Sequence, residues 1–199
     1  MKKIILLFLL CMKLLCIEDF YSIDKEPLQV KIEKQIKKYD NFVLEFLYKY
    51  KIKGRVVAIK EYYFDNLSGL ITHDIGVTWG IMSHTKYFNQ VEWSQSNRLL
   101  NFSFKKKLID EIGENNMLDH IANVHLIPKN KKIKKEIEKI KKNDIVTFYG
   151  YLVNIKKINK KYYEYAKTSI TRTDRGMGAC EIMYVIKVDI NVNHTRFFN

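Results

Sequence analysis

Short segments rich in aromatic and β-branched residues recur along this chain, and they limit it to a fold built mainly from β-strands. Between residues 42 and 61, Tyr48, Tyr50 and Ile52 alternate with lysines, which is typical of a half-buried strand. Similar patterns predict strands within residues 74–82, 91–104, 145–155, 162–171 and 181–190.

Helical periodicity is clearest over residues 131–142, where Asn130 can cap the start and isoleucines repeat at helical spacing. The other faces of this helix carry lysine and glutamate, so it is predicted to lie on the surface. A second stripe predicts a short helix over residues 32–43. Together these patterns predict an α+β fold that is mostly antiparallel β: a small open barrel of the OB type, or a β-meander with one surface helix.

The composition is that of one folded domain with an excess of basic side chains. The chain has 199 residues, 47% of them hydrophobic, and 35 Lys+Arg against 22 Asp+Glu give a formal charge of +13. Collagen-like and Pro/Gly-rich chains are excluded, because only 8 Gly and 2 Pro are present. The charge makes an anionic membrane surface a candidate partner, whereas nucleic acid is less favoured because lysine greatly outnumbers arginine.

Residues 1–17 have the layout of a secretory signal, with two lysines before an apolar run and acids directly after it. This run is shorter than the roughly 20 residues of a membrane-spanning helix and contains Lys13. We expect a signal peptide cleaved near Cys16, with an uncleaved signal anchor or lipidation of Cys16 as alternatives. Residues 18–199 are then a single β-rich domain that is exported and becomes periplasmic, envelope-associated or secreted. Because cleavage leaves Cys180 alone, a disulfide framework is excluded.

Several segments resemble a family of exported bacterial proteins to which no activity is assigned. The most specific matches are Asn-x-His-Leu-Ile-Pro at residues 123–128 and Ser-x-Thr-Arg-x-Asp-x-Gly-x-Gly-x-Cys-Glu at residues 169–181. The chain departs from the family pattern at Leu99 and Leu100, where related sequences carry aromatic residues. The resemblance implies secretion and a shared fold, and it implies no mechanism.

The segment over residues 171–181 is the leading candidate binding site. Arg172 and Asp174 flank a turn with two glycines, and an arginine can bind an anion through two parallel hydrogen bonds. The alternative is a hairpin connection in which Arg172 forms an ion pair with Asp174 or Glu181. Cys180 is either a nucleophile or a small hydrophobic residue at the start of a strand, and the second interpretation is favoured.

His125 lies in an apolar segment whose alternation places it opposite Val124 and Leu126, as expected for a structural histidine. In the catalytic alternative His125 is a general base, Glu181 or Asp174 orients it, and Arg172 holds an anionic group.

Arg98 and Trp79 are further binding candidates, the latter because an exposed indole can stack on bases or sugars. Zinc-ligand spacings, phosphate-binding glycine loops and the Gly-x-Ser-x-Gly motif do not occur in the sequence. No metal and no cofactor are therefore predicted.

Three functions follow from these features. The favoured one is an exported cell-envelope protein that binds an unidentified ligand or envelope partner without catalysis. The alternatives are a small hydrolase-like enzyme that uses His125 with Arg172 and Glu181 in one cleft, and a basic OB-like module that binds nucleic acid. The sequence predicts no oligomeric state.

Overall fold

A computed structural model of the protein describes residues 23, 25–158, 163–176 and 178–191. The strands in these residues are β1 (Leu28–Tyr39), β2 (Phe42–Glu61), β3 (His73–Thr78), β4 (Val91–Ser96), β5 (Leu99–Phe104), β6 (Ile121–Pro128), β7 (Ile145–Ile158), β8 (Tyr163–Ala166) and β9 (Glu181–Asn191). The α-helices are α1 (Thr85–Phe88), α2 (Lys106–Ile112), α3 (Glu114–Leu118) and α4 (Lys131–Ile137), and a 3-10 turn covers Gly80–Ser83.

A ring of five strands forms the centre of the fold. β2 is 20 residues long, and this length lets it pair with β3 on one side and with β7 on the other. The ring continues from β3 through β6 and β9 to β7, and the β6–β9 pair is parallel while its neighbours are antiparallel. This strand order, with α4 between β6 and β7, is that of an OB-type Greek-key barrel. The predicted α+β, mostly antiparallel fold with an OB-like barrel is confirmed.

The barrel interior is the main apolar core. Residues of the ring strands turn inward at every second position, as Ile75 and Val77 do on β3. Ile137 of α4 packs into the same core. As predicted, Asn130 caps this helix, and its Oδ1 atom accepts the Ile133 N–H at 3.0 Å.

An insertion between β3 and β6, residues 79–120, covers part of the outer face of the barrel. It contains the β4–β5 hairpin and has its own apolar cluster, in which Met82, Leu108 and Met117 are fully buried. The hairpin meets β3 at Gly76, where an added Cβ atom would lie 2.6 Å from the Leu100 Cδ1 atom. Because Gly76 has no side chain, the hairpin can pack directly against the outer face of the barrel at this position.

Three local predictions were wrong. Residues 32–43 do not form a helix, because β1 runs along the edge of the sheet with a register shift between Lys31 and Gln35. The shift interrupts the alternation of an exposed strand, so that its apolar residues imitate a helical stripe. The helix after Asn130 ends at Ile137 instead of residue 142. β9 lies between β6 and β7, so the last three strands do not form a meander.

The signal peptide or anchor predicted for residues 1–17 lies outside the described residues. In the part of the chain that the structure describes, none of the helices combines the length and the hydropathy needed to cross a membrane.

Candidate functional site

Asp74, His125 and Cys180 come together on the outer face of the barrel, beneath the inserted hairpin. Asp74 on β3 is the cross-strand partner of His125 on β6, so both side chains point to the same face. The Asp74 Oδ1 atom lies 2.7 Å from His125 Nδ1. Cys180 directly precedes β9, the parallel neighbour of β6, and its thiol lies near enough to the same imidazole to contribute to the raised pKa of His125. A carboxylate, an imidazole and a thiol therefore lie side by side.

The buried carboxylate keeps the imidazole protonated. The Asp74 side chain is fully buried, and that of His125 is 13% exposed. Burial by itself disfavours the charged ring, but the interactions with Asp74 and Cys180 outweigh it and raise the pKa of His125 to about 9. At neutral pH the ring is a cation next to a thiol.

An amide group completes the surroundings of the sulfur. The Asn123 Nδ2 atom donates to Cys180 Sγ at 3.2 Å and to the Arg98 carbonyl at 2.9 Å. Gln95 on β4 fixes the orientation of this amide, because its Nε2 atom donates to Asn123 Oδ1 at 3.0 Å. Asn123 therefore presents a fixed N–H donor beside the thiol, as an oxyanion-binding group must.

Arg98 joins the hairpin turn to the acids of the barrel. Its Nη1 atom donates to Asp74 Oδ1 at 2.9 Å, and its Nε and Nη2 atoms donate to the two Asp65 oxygens at 2.7 and 2.9 Å. The guanidinium also lies 4.0 Å from the ring centre of Tyr62. Asn97 and Arg98 both have positive φ, 50° and 65°, as in the two-residue turn of a hairpin, and they lie at the end of the polar stretch 94–98 that interrupts the strand predicted for residues 91–104. Arg98, predicted to bind a ligand, is thus engaged by the protein's own carboxylates.

A pocket opens beside the thiol. It has a volume of about 380 Å³, within the range of roughly 300–1,000 Å³ that small-molecule sites occupy. Cys180 and Asn123 form part of its wall, and the remaining walls come from β5 and from the loop before β9. Cys180 therefore borders a cavity that can hold a small molecule.

Arg172 and Glu181, predicted to act with His125, form a separate ion pair. Glu181 is paired with Val124 across β6 and β9, so it lies on the opposite face of the sheet from His125. Its carboxylate is buried, which raises the pKa of Glu181, and Arg172 is its partner. The prediction that Glu181 or Asp174 orients His125 was therefore wrong, since Asp74 occupies that position. The alternative ion pair between Arg172 and Glu181 is present.

Two other predicted binding residues have structural partners. The Ser169 hydroxyl donates to Asp174 Oδ2 at 2.6 Å, which fixes the loop that borders the pocket. Trp79 is fully buried in the main core, and its Nε1 atom donates to Glu26 at 3.0 Å. Trp79 is therefore a core residue and has no exposed face on which a base or sugar can stack.

His125 and Cys180 were candidates from the sequence, but Asp74 was not predicted as a member of their site. The available signal was an acid at position 74 directly before the apolar or small residues 75–78. A carboxylate at such a position is expected to have a buried cationic or hydrogen-bonding partner.

Two further findings concern metal binding and similarity to known proteins. Among the described residues, no group of three or more His, Cys, Asp and Glu side chains has the arrangement of a metal site. Comparison with protein-family models, curated proteins and solved structures gave no match to this chain.

Proposed function

We propose that this protein is a cysteine-dependent acyl hydrolase. In this proposal Cys180 is the nucleophile, His125 is the general acid and base, and Asp74 positions His125. The observation that carries it is the 2.7 Å contact between Asp74 Oδ1 and His125 Nδ1, next to a free thiol that lines a pocket. A nucleophile, a base and a group that orients the base are the parts of covalent acyl-transfer catalysis.

The first half of the reaction forms an acyl-enzyme. The Cys180 thiolate donates an electron pair to the substrate carbonyl carbon, and the C=O π pair moves to oxygen. The Asn123 N–H that donated to the sulfur now donates to this oxyanion instead. When the C=O bond forms again, the leaving group departs with its bonding pair and takes the proton from the His125 imidazolium. The products are a thioester on Cys180, a neutral imidazole and the protonated leaving group.

The second half returns the protein to its starting state. A water molecule adds to the thioester carbonyl while His125 accepts one of its protons. Collapse of this intermediate breaks the C–S bond and releases a carboxylic acid. The sulfur leaves as the thiolate beside the protonated His125, so one water is consumed in each cycle and no net proton remains on the protein.

A non-catalytic binding protein is the second candidate. It is favoured by the pocket itself, whose volume suits a small ligand whether or not a reaction follows. For either function we propose that residues 1–17 direct export and that the domain works in the periplasm, at the envelope or outside the cell. The proposals of export and of location rest on the sequence pattern of residues 1–17.

Acyl-enzyme trapping tests the proposed function. Wild-type protein is mixed with p-nitrophenyl acetate, p-nitrophenol release is followed, and acid-quenched protein is digested for mass spectrometry. We expect turnover with a transient acetyl group on Cys180. The Cys180→Ala variant should show neither, and His125→Gln should lose about 10²–10⁴-fold in kcat/KM.

The matched control is Lys139→Gln, which removes an exposed ion pair with Glu136 and leaves the three proposed residues and the pocket intact. It should acylate Cys180 and turn over as the wild type does, within about threefold, since exposed ion pairs contribute little. Equal hydrolysis by wild type and Cys180→Ala would exclude the enzyme and leave the binding function.

A further inference from the structure

The pocket beside Cys180 has walls of different chemistry. Its apolar wall consists of side chains from β5, from the end of α3, from the start of β6 and from the loop before β9: Leu99, Leu100, Phe102, Leu118, Ile121 and Ala179. Leu99 is 42% exposed, although most large aliphatic side chains of the described residues are buried. Solvent-exposed apolar surface thus borders the proposed nucleophile.

The cations that line this pocket are already paired with carboxylates of the protein. Arg172 is held by Glu181, and Arg175 is held by Asp119. A carboxylate or phosphate entering the pocket would compete with these carboxylates for their arginines. The pocket also contains Asp174, which repels an anion. Charge complementarity therefore favours an uncharged group in this cavity.

From this arrangement we propose that the pocket binds the acyl part of the substrate as a short, uncharged aliphatic chain. This inference rests on the proposed function for the identity of the reacting bond and on the pocket walls for the chemistry of the chain. The thiol attacks the carbonyl at one end of the chain, as described above, while the methylene groups lie against the apolar wall.

The size of the cavity limits the length of the chain. A volume of about 380 Å³ holds roughly a dozen non-hydrogen atoms at about 30 Å³ each. After the carbonyl group and part of the leaving group are placed, chains of about six to eight carbons fill the remainder, on the same volume per atom. Each methylene buried below that length should raise kcat/KM about fourfold, which corresponds to about 0.8 kcal/mol per CH₂ group.

A chain-length series measures this directly. Wild-type protein is assayed with p-nitrophenyl acetate, butyrate, hexanoate, octanoate and dodecanoate, and with the p-nitrophenyl monoester of glutarate, which carries a terminal carboxylate. We expect kcat/KM to rise to hexanoate or octanoate and then to fall, with the glutarate ester slower than butyrate. A flat series, or a preference for the glutarate ester, would overturn the inference.

A pair of leucine variants locates the effect. Leu99→Gln should reduce the increase in kcat/KM for each added methylene group, because Leu99 is part of the apolar wall. The control Leu28→Gln changes a leucine on β1 that is 60% exposed and lies outside this pocket. This variant should show the same increase in kcat/KM per methylene group as the wild type. An equal increase in kcat/KM per methylene group in both variants would show that the acyl chain does not bind against Leu99.

Binding without chemistry separates this inference from the proposed function. The Cys180→Ser variant, labelled with ¹⁵N, is titrated with hexanamide, and amide shifts are followed around β5. Shifts there together with no ester turnover by the wild type would reject the hydrolase and retain the aliphatic pocket. Ester turnover without these shifts and without chain-length dependence would retain the hydrolase and reject the aliphatic pocket.

Discussion

Replacing Asp74 by asparagine should lower the pKa of His125 strongly while leaving the shape of the site almost unchanged. The Asp74 Oδ1 atom is 2.7 Å from the ring, and the pKa of His125 is about 9 in the folded protein. Asparagine has nearly the same volume but no charge. Because the ring stays buried, its pKa in Asp74→Asn should fall by about 2 units or more.

The same interaction contributes to stability in a defined pH range. The pKa of histidine in an unfolded chain is about 6.5, whereas the pKa of His125 in the folded protein is about 9. The stabilisation is therefore complete below about pH 6.5 and is lost as the pH rises through about 9. At about 1.4 kcal/mol per pKa unit, the free energy of unfolding should fall by about 3 kcal/mol across this window. In Asp74→Asn most of this decrease should disappear.

NMR titration of the His125 ring protons and urea unfolding between pH 6 and 10 measure the two effects. The matched control is Asp65→Asn, since Asp65 also binds Arg98 but is not a partner of His125. That variant should keep the His125 pKa near 9. A wild-type His125 that titrates near 6.5, or an Asp74→Asn variant that still titrates near 9, would refute this explanation.

Three other predictions test the supporting structure. Arg98→Gln should lower the free energy of unfolding in urea by about 2 kcal/mol, because the buried Asp74 carboxylate keeps His125 but loses its second cationic partner; a loss below about 1 kcal/mol would contradict this role. The hydrogen bond from Lys156 lowers the pKa of Glu45 to about 2, so its stabilisation should be present above pH 4.5 and lost as the pH falls through about 2. Acid unfolding should show this decrease in wild type and not in Glu45→Gln. Gly76→Ala should destabilise the protein by about 1–3 kcal/mol through overlap with Leu100, and adding Leu100→Ala should recover part of this loss in thermal unfolding, whereas additive losses would exclude the overlap.

The strands could be predicted from the sequence better than their arrangement. Alternation and β-branched residues mark strands locally, and Asn130 with the following isoleucines marks α4. Closure of the ring depends on β2 pairing with both β3 and β7, and the β6–β9 pair is parallel across residues far apart in the chain. Local periodicity contains no information on such partners. For the same reason, local periodicity predicted a helix over residues 32–43, where the bulged edge strand β1 lies.

The site illustrates the same limit. His125 and Cys180 were each recognised as chemically capable residues, but their relation depends on the register of three strands. Asp74 is 51 residues from His125 in sequence, and only the β3–β6 register places their side chains together. Glu181, a near neighbour of Cys180 in sequence, was chosen as the orienting acid, but alternation along β9 turns it to the other face.

Alkylation of Cys180 tests most directly whether the thiol and the imidazole act as a unit, because it requires no substrate. The rate of carbamidomethylation by iodoacetamide at pH 7 is measured by mass spectrometry for wild type, His125→Gln, Asp74→Asn and the control Asp65→Asn. We predict rapid alkylation in wild type and Asp65→Asn, and at least tenfold slower alkylation in His125→Gln and Asp74→Asn, since the cation beside the sulfur is lost. Equal alkylation rates in all four folded proteins would contradict the proposed role of Cys180.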